Sequence, residues 1–291
     1  MGVKQHVFGS FSERGNYYKL IRQWSKDYYI YHNLPFMNIF DIDKDTIKNL
    51  KLSESQIDFL KKTSIDYTLC DLEDKPIVCI EYDGLQQGFN LGTKYYSEQR
   101  NNVLREKGFN LKLQVSHYSS FPLFIVSTKE FEDLCHNIKL TIVDGIIGQV
   151  ISQKNFKSEI EQPFNPEKYG MTLEEFLELS NEQKYYYIKK DCLYIEVDTY
   201  LENNPIINKA SELHHLLGRP GYSLQGVQGV DYTRYYAKSC IVNLNSCGKI
   251  KSEVILPKFN APGFCMGLLI DKIAELLAFN KAINLIYNSD Y

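Results

Sequence analysis

Residues 76–84 read Pro-Ile-Val-Cys-Ile-Glu-Tyr-Asp-Gly. A strand with one wet face alternates apolar and polar residues, whereas a nearly unbroken apolar run fits a strand buried on both faces. Such a strand needs cover on two sides, and helical periodicity elsewhere in the chain predicts that helices supply it. The run ends in Glu81 and Asp83, then Gly84. Side chains alternate along a strand, so the two acids point to one face.

A second strand, Ile65–Cys70, precedes it, and Leu72–Lys75 supplies the turn. A hairpin centred on that turn sets Asp66 opposite Glu81. Around this pair, Ser12 reads as an N-cap and Glu13–Trp24 as a helix, with Tyr17, Leu20, Ile21 and Trp24 on one face. Residues 28–40 read as extended and are interrupted at Pro35. Residues 44–62 read as one amphipathic helix with Ile57, Phe59 and Leu60 inward. Beyond the Gly84, Gly88 and Gly92 loop, residues 94–107 read as a helix stopped by Gly108. Phe109–Val115 and then Phe121–Ser127 read as strands. The expectation is an α/β fold, a restriction-endonuclease-like mixed sheet flanked by helices.

Residues 130–138 and 140–156 read as two further helices. The stretch 158–169 carries two prolines and mixed charge, so a boundary is expected there, with a core over 1–157 and a mainly helical or mixed C-terminal subdomain over 158–291. In that second part, 172–179, 182–190, 208–217 and 264–279 read as helices. Residues 241–244 and 254–256 read as strands, and Gly218–Gly229 as a loop.

The 291 residues carry a net charge of −3. A nucleic-acid partner must therefore meet a local basic surface, because the chain as a whole offers no phosphate-neutralising excess. The seven cysteines are odd in number and lack Cys-x-x-Cys spacing, which excludes a zinc ribbon and fits a reducing, cytoplasmic compartment. Residues 1–12 hold no apolar segment of the signal-peptide kind, and no apolar run reaches membrane-spanning length.

Asp66, Glu81 and Asp83 converging on one face repel one another unless a cation or water compensates them. A hard divalent cation with oxygen ligands fits, Mg2+ first and Mn2+ as its substitute. Such an ion activates water and stabilises a departing oxygen, which points to phosphodiester hydrolysis.

The segments Asp66-Tyr-Thr-Leu69, Ile80-Glu-Tyr-Asp-Gly84, Arg100-Asn-Asn-Val-Leu104, Gly108 and Leu111-Lys-Leu113 together resemble the PD-(D/E)XK nuclease superfamily, in the branch related to very-short-patch-repair endonucleases. The resemblance covers about residues 10–120. It implies a metal-dependent endonuclease acting on DNA, with RNA left open and self-association as a homodimer also open. It implies Asp66, Glu81 and the backbone carbonyl of Tyr82 as metal ligands, Glu13 binding the metal directly or through water, and Arg100 facing the phosphate or bracing the site. Asp83 occupies the slot of the family's usual lysine, as it does in this branch. Where the branch carries a histidine, this chain has Gln87. A glutamine orients water but cannot act as a base near neutral pH. Either metal-bound hydroxide needs no side-chain base, or the chain is a catalytically inactive nuclease fold serving as a nucleic-acid-binding or assembly module.

Other features read more plainly. His214 and His215 are adjacent and do not share a helix face. The loop over 218–229 lacks phosphate-loop spacing, although Arg219 and Arg234 nearby are candidates for nucleic-acid contact. Tyr185, Tyr186 and Tyr187 read as packing residues before they read as base-stacking ones.

Overall fold

The computed structural model describes residues 8–85, 89–91, 93–96, 103–244 and 248–288. In chain order the first half forms α1 (Phe11–Trp24), β1 (Tyr29–Pro35), α2 (Lys44–Leu50), α3 (Glu54–Lys62), β2 (Ser64–Cys70), β3 (Pro76–Asp83), the short strands β4 (Phe89–Leu91) and β5 (Lys94–Tyr96), α4 (Val103–Tyr118), β6 (Leu123–Ser127) and α5 (Ile142–Ile160). The second half adds α6 (Leu173–Glu178), α7 (Asn181–Asn203), α8 (Pro205–Leu216), β7 (Tyr222–Gln225), β8 (Tyr235–Leu244), β9 (Gly248–Pro257) and α9 (Met266–Asn288). The fold is mixed α/β, and no helix among the described residues is long and apolar enough to cross a membrane.

The main sheet has the order β1-β2-β3-β6, with β1, β2 and β3 antiparallel in turn and β6 parallel to β3. The β2–β3 hairpin forms with Tyr67 opposite Ile80, which brings Asp66 to the level of Glu81. The apolar run of β3 is covered on both faces as its composition requires. Cys79 joins a cluster with Leu60, Ile65, Leu113 and Phe36 on one side. Val78, Ile80 and Tyr82 join a larger cluster with α1, α5 and residues of α8 and α9 on the other. That larger cluster takes side chains from both sides of residue 157, and α5 runs to Ile160.

Several expectations are corrected. Phe109–Val115 is helical, the second half of α4, and residues 94–96 are strand. The period-two pattern of Phe109, Leu111, Leu113 and Val115 misleads because α4 is buried around much of its girth, Lys112 and Ser116 included. Gly108 sits inside that helix rather than ending it. A Cβ there would come within 2.9 Å of the Phe59 ring, so the glycine permits close approach of α3. Residues 44–62 form two helices, because Lys51 adopts a left-handed conformation and Ser53 starts α3 with a reciprocal cap to Gln56. Leu60 is fully buried, but Phe59 is 40 % exposed. The cap of α1 is Ser10, which accepts from the Glu13 N–H, not Ser12. Residues 130–138 are not an α-helix. A single 3-10 turn at 128–131 is followed by an Asp133–Thr141 bridge, and Thr141 caps α5. The 218–229 segment holds strand β7. Tyr187 packs edge-on against Tyr169, whereas Tyr185 and Tyr186 are exposed.

The halves meet at α5. Its Gly145 and Gly148 face α8 and α9 so closely that a Cβ on Gly148 would stand 2.8 Å from the Asn204 backbone. A backbone neighbour cannot swing aside. Gly148→Ala is therefore expected to destabilise the protein by about 1–3 kcal/mol through overpacking. By contrast, Gly15→Ala in α1, where a Cβ meets nothing within 4 Å, is expected to stabilise it by about 0.5–1 kcal/mol. Denaturant midpoints of the two variants check both signs.

Candidate functional site

Asp66 and Glu81 lie side by side at the ends of β2 and β3, at the base of a cleft of about 560 Å³. Ser10 and Glu13 of the α1 start, Arg105 and Lys112 of α4, and Tyr82 also line it. The carboxyls therefore share one face of the sheet, as the alternation of Glu81 and the hairpin register require. Asp66 Oδ2 accepts the Tyr82 N–H at 2.7 Å. Glu81 is buried, and its Oε1 accepts from Lys112 Nζ at 2.5 Å. The same ammonium donates to the Ser64 carbonyl at 2.7 Å.

Burial pushes the Glu81 carboxyl up to about 8, against the pull of Lys112 and with the push of neighbouring Asp66. Burial also raises Asp66, opposed by the Tyr82 amide and Lys112. Both carboxyls are therefore held above their ordinary range, with burial the first cause in each. One ammonium thus stands near a buried acid, Glu81, and a half-buried one, Asp66, and the site is short of positive charge whenever both are ionised.

The other expected residues divide. Glu13 lines the cleft, its carboxylate held between His32 Nε2 at 2.6 Å and the Gly9 N–H at 2.9 Å. Tyr67 Oη donates to the Glu13 carbonyl at 2.9 Å, tying α1 to β2. Asp83 is on the Glu81 face but is buried behind it, where Arg105 Nη2 pairs with Oδ1 at 3.1 Å and the Tyr95 hydroxyl donates to Oδ2. The Tyr82 carbonyl accepts from Arg105 at 3.1 Å. Gln87 and Arg100 lie outside the described residues. Arg219, in the turn after α8, stands within reach of His215, Arg234 lies over the Tyr235 ring, and neither lines the cleft. His214 stacks on Phe279 and is structural.

Sequence reasoning missed His32, Arg105 and Lys112. Lys112 was hidden by the misread strand over 109–115. It alternates with Leu111 and Leu113 in the same register as Asn110 and Gln114, so it reads as one of a strand's solvated residues. Arg105 and Phe109, four apart, stack through guanidinium and ring at 5.1 Å. His32 gives no such signal in the sequence.

The donor set suits a divalent cation in type: hard carboxylate oxygens, one buried and one half-buried, open on one side to a cleft, and under-compensated. It is sparse in number, since no three His, Cys, Asp or Glu side chains among the described residues group as metal ligands. Asp66 and Glu81 would hold the ion, with water completing its shell. No known protein family, curated protein or solved structure matches the chain.

Unfolded, Glu81 titrates near its ordinary 4.5, and folded it keeps its proton to about 8. Between those values the folded state binds more protons than the unfolded one, so stability falls as pH rises through that window and levels off above it. Raised Asp66 acts in the same direction. Glu81→Gln is expected to flatten this decline. Denaturant midpoints at about pH 5 and about pH 8, in metal-free buffer, test it.

Proposed function

We propose that the chain is a metal-dependent nuclease that hydrolyses phosphodiester bonds in DNA, with Asp66 and Glu81 holding Mg2+ or Mn2+ at the cleft base. The observation carrying this reading is a pair of same-face carboxyls at an open cleft, half-buried Asp66 and buried Glu81, with one lysine ammonium bonded to Glu81. The resemblance to PD-(D/E)XK nucleases is compatible with the mixed sheet flanked by helices. A bound divalent ion supplies an activated water and positive charge for the leaving oxygen.

The chain's own groups then have separable tasks. Asp66 is oriented by the Tyr82 N–H. Lys112 keeps Glu81 turned to the cleft and offers an ammonium to phosphoryl oxygens as charge builds on them. This supplies from α4 the cation that the strand motif Glu81-Tyr82-Asp83 lacks. Glu13, steadied by His32, orients the attacking water or a water on the ion. Arg105 neutralises Asp83, which leaves that acid a bracing role behind the site. Six cysteines among the described residues are free thiols, in keeping with the cytoplasmic setting we assign.

A second reading has its own support: Glu81 and Asp83 already carry internal cations, Lys112 and Arg105. On that reading the fold binds nucleic acid without cutting it.

The two part cleanly. Plasmid cleavage in Mg2+ or Mn2+ is expected from the wild type and is expected to be abolished by Asp66→Asn and by Glu81→Gln. Lys112→Met is expected to lower the rate at least about a hundredfold. Mn2+ is expected to raise the thermal midpoint of the wild type but not of Asp66→Asn. Gel retention without cleavage or a metal-induced shift refutes the enzyme and supports the silent binder.

A further inference from the structure

The three-stranded sheet β7-β8-β9 ends on β9, and among the described residues no strand pairs with its other side. β9 is ten residues long. The Lys251 carbonyl takes the Lys281 ammonium at 3.2 Å rather than a neighbouring strand. Long free edges are hazards, and proteins usually blunt them with lysine, proline or bulges. This one pairs regularly with β8 from Tyr235–Pro257 to Leu244–Gly248, without a bulge. Its proline is the last residue, and its lysines are not alone.

Along β9 the exposed side chains are Lys249, Lys251, Glu253 and Ile255. Lys251 and Glu253 are 54 % and 43 % exposed and pair with each other at 2.6 Å. Lysines alone would repel their own copies across an antiparallel edge. An acid two residues from a lysine on the same face does the opposite. With a twofold axis at Ser252, Lys251 stands opposite the partner's Glu253, and Glu253 opposite the partner's Lys251. Lys249 then lies beside the partner's Ile255, where its methylene stem covers an isoleucine that is 50 % exposed in the single chain. On the inner face, buried Ile250 meets the partner's Val254 and extends the apolar layer beneath α9. Pro257, which has no N–H to donate, falls outside the paired window of 249–255.

We propose that β9 is a homodimerisation edge: two copies pair antiparallel about Ser252 and join their three-stranded sheets into one six-stranded sheet. The match is self-complementary in charge and in apolar pattern, as an isologous contact must be. It is independent of the nuclease reading. The Lys281 ammonium gives up the Lys251 carbonyl to the incoming strand.

Sedimentation equilibrium of the full chain tests this. The wild type is expected to have twice the monomer mass, with dissociation rising as salt is added. Lys251→Glu alone and Glu253→Lys alone each set like charges opposite one another and are expected to weaken the dimer by about tenfold or more. The double variant Lys251→Glu with Glu253→Lys restores opposite charges and is expected to recover the dimer. An equimolar mixture of the two single variants is expected to form a heterodimer. The sites are exposed, and circular dichroism checks that each variant is folded. A monomeric wild type at all concentrations overturns the proposal. So does a dimer indifferent to both single reversals, or a double variant as weak as the singles.

Discussion

A buried ammonium bonded to one carboxyl and one backbone carbonyl is the constraint around which the first half is arranged. Lys112 reaches from α4 to the Ser64 carbonyl and to Glu81, so the helix, the start of β2 and the end of β3 are fixed to one another by a single charged group. Burying a charge is tolerable only when partners replace its water. Here those partners belong to two different strands, so the spacing of the hairpin and the seat of the helix are one problem with one solution. Asp83 repeats the pattern one step along the same face, with Arg105 and Tyr95 from the elements that follow β3.

This arrangement explains how an acidic strand end persists without a large excess of basic residues in the chain. Glu81 and Asp83 each meet one specific cation from α4, Lys112 and Arg105, two turns apart on the helix, rather than a diffuse positive surface. The apolar neighbours raise the cost of ionising Glu81, and the cleft supplies the one open side. The site is therefore poised to respond to an added charge, of either a proton or a cation, at the point where β2 and β3 end.

Much of this was legible in the sequence. The unbroken apolar run of β3 announced a strand covered on both faces, and alternation put Glu81 and Asp83 on one of them. The register that brings Asp66 to Glu81 is as expected, although the turn pairs Cys70 with Pro76 and an irregularity between Leu69 and Cys70 shifts the pairing by one. The helix that completes the site was not legible. Burial around most of α4 erased its 3.6-residue period, and Gly108 mimicked a stop because close approach to Phe59 and a helix end ask for the same residue. Lys112 and Arg105 were lost with it. Glu13 was found, but His32 was not, since a lone histidine in a strand carries no pattern until its partner is seen.

The helix α5 has a wider consequence. Its residues from Ile142 to Ser152 are buried on every side, with Trp24 donating to Asp144 from one half and Asn204 donating to the Gly145 carbonyl from the other. It serves as a party wall between the halves and belongs to neither. A chain assembled by recombination, with the first half grafted onto an unrelated second half, would inherit a wall shaped for the wrong tenant. Replacing the C-terminal half would leave Gly145 and Gly148 facing a surface they do not fit, even with the cleft chemistry kept.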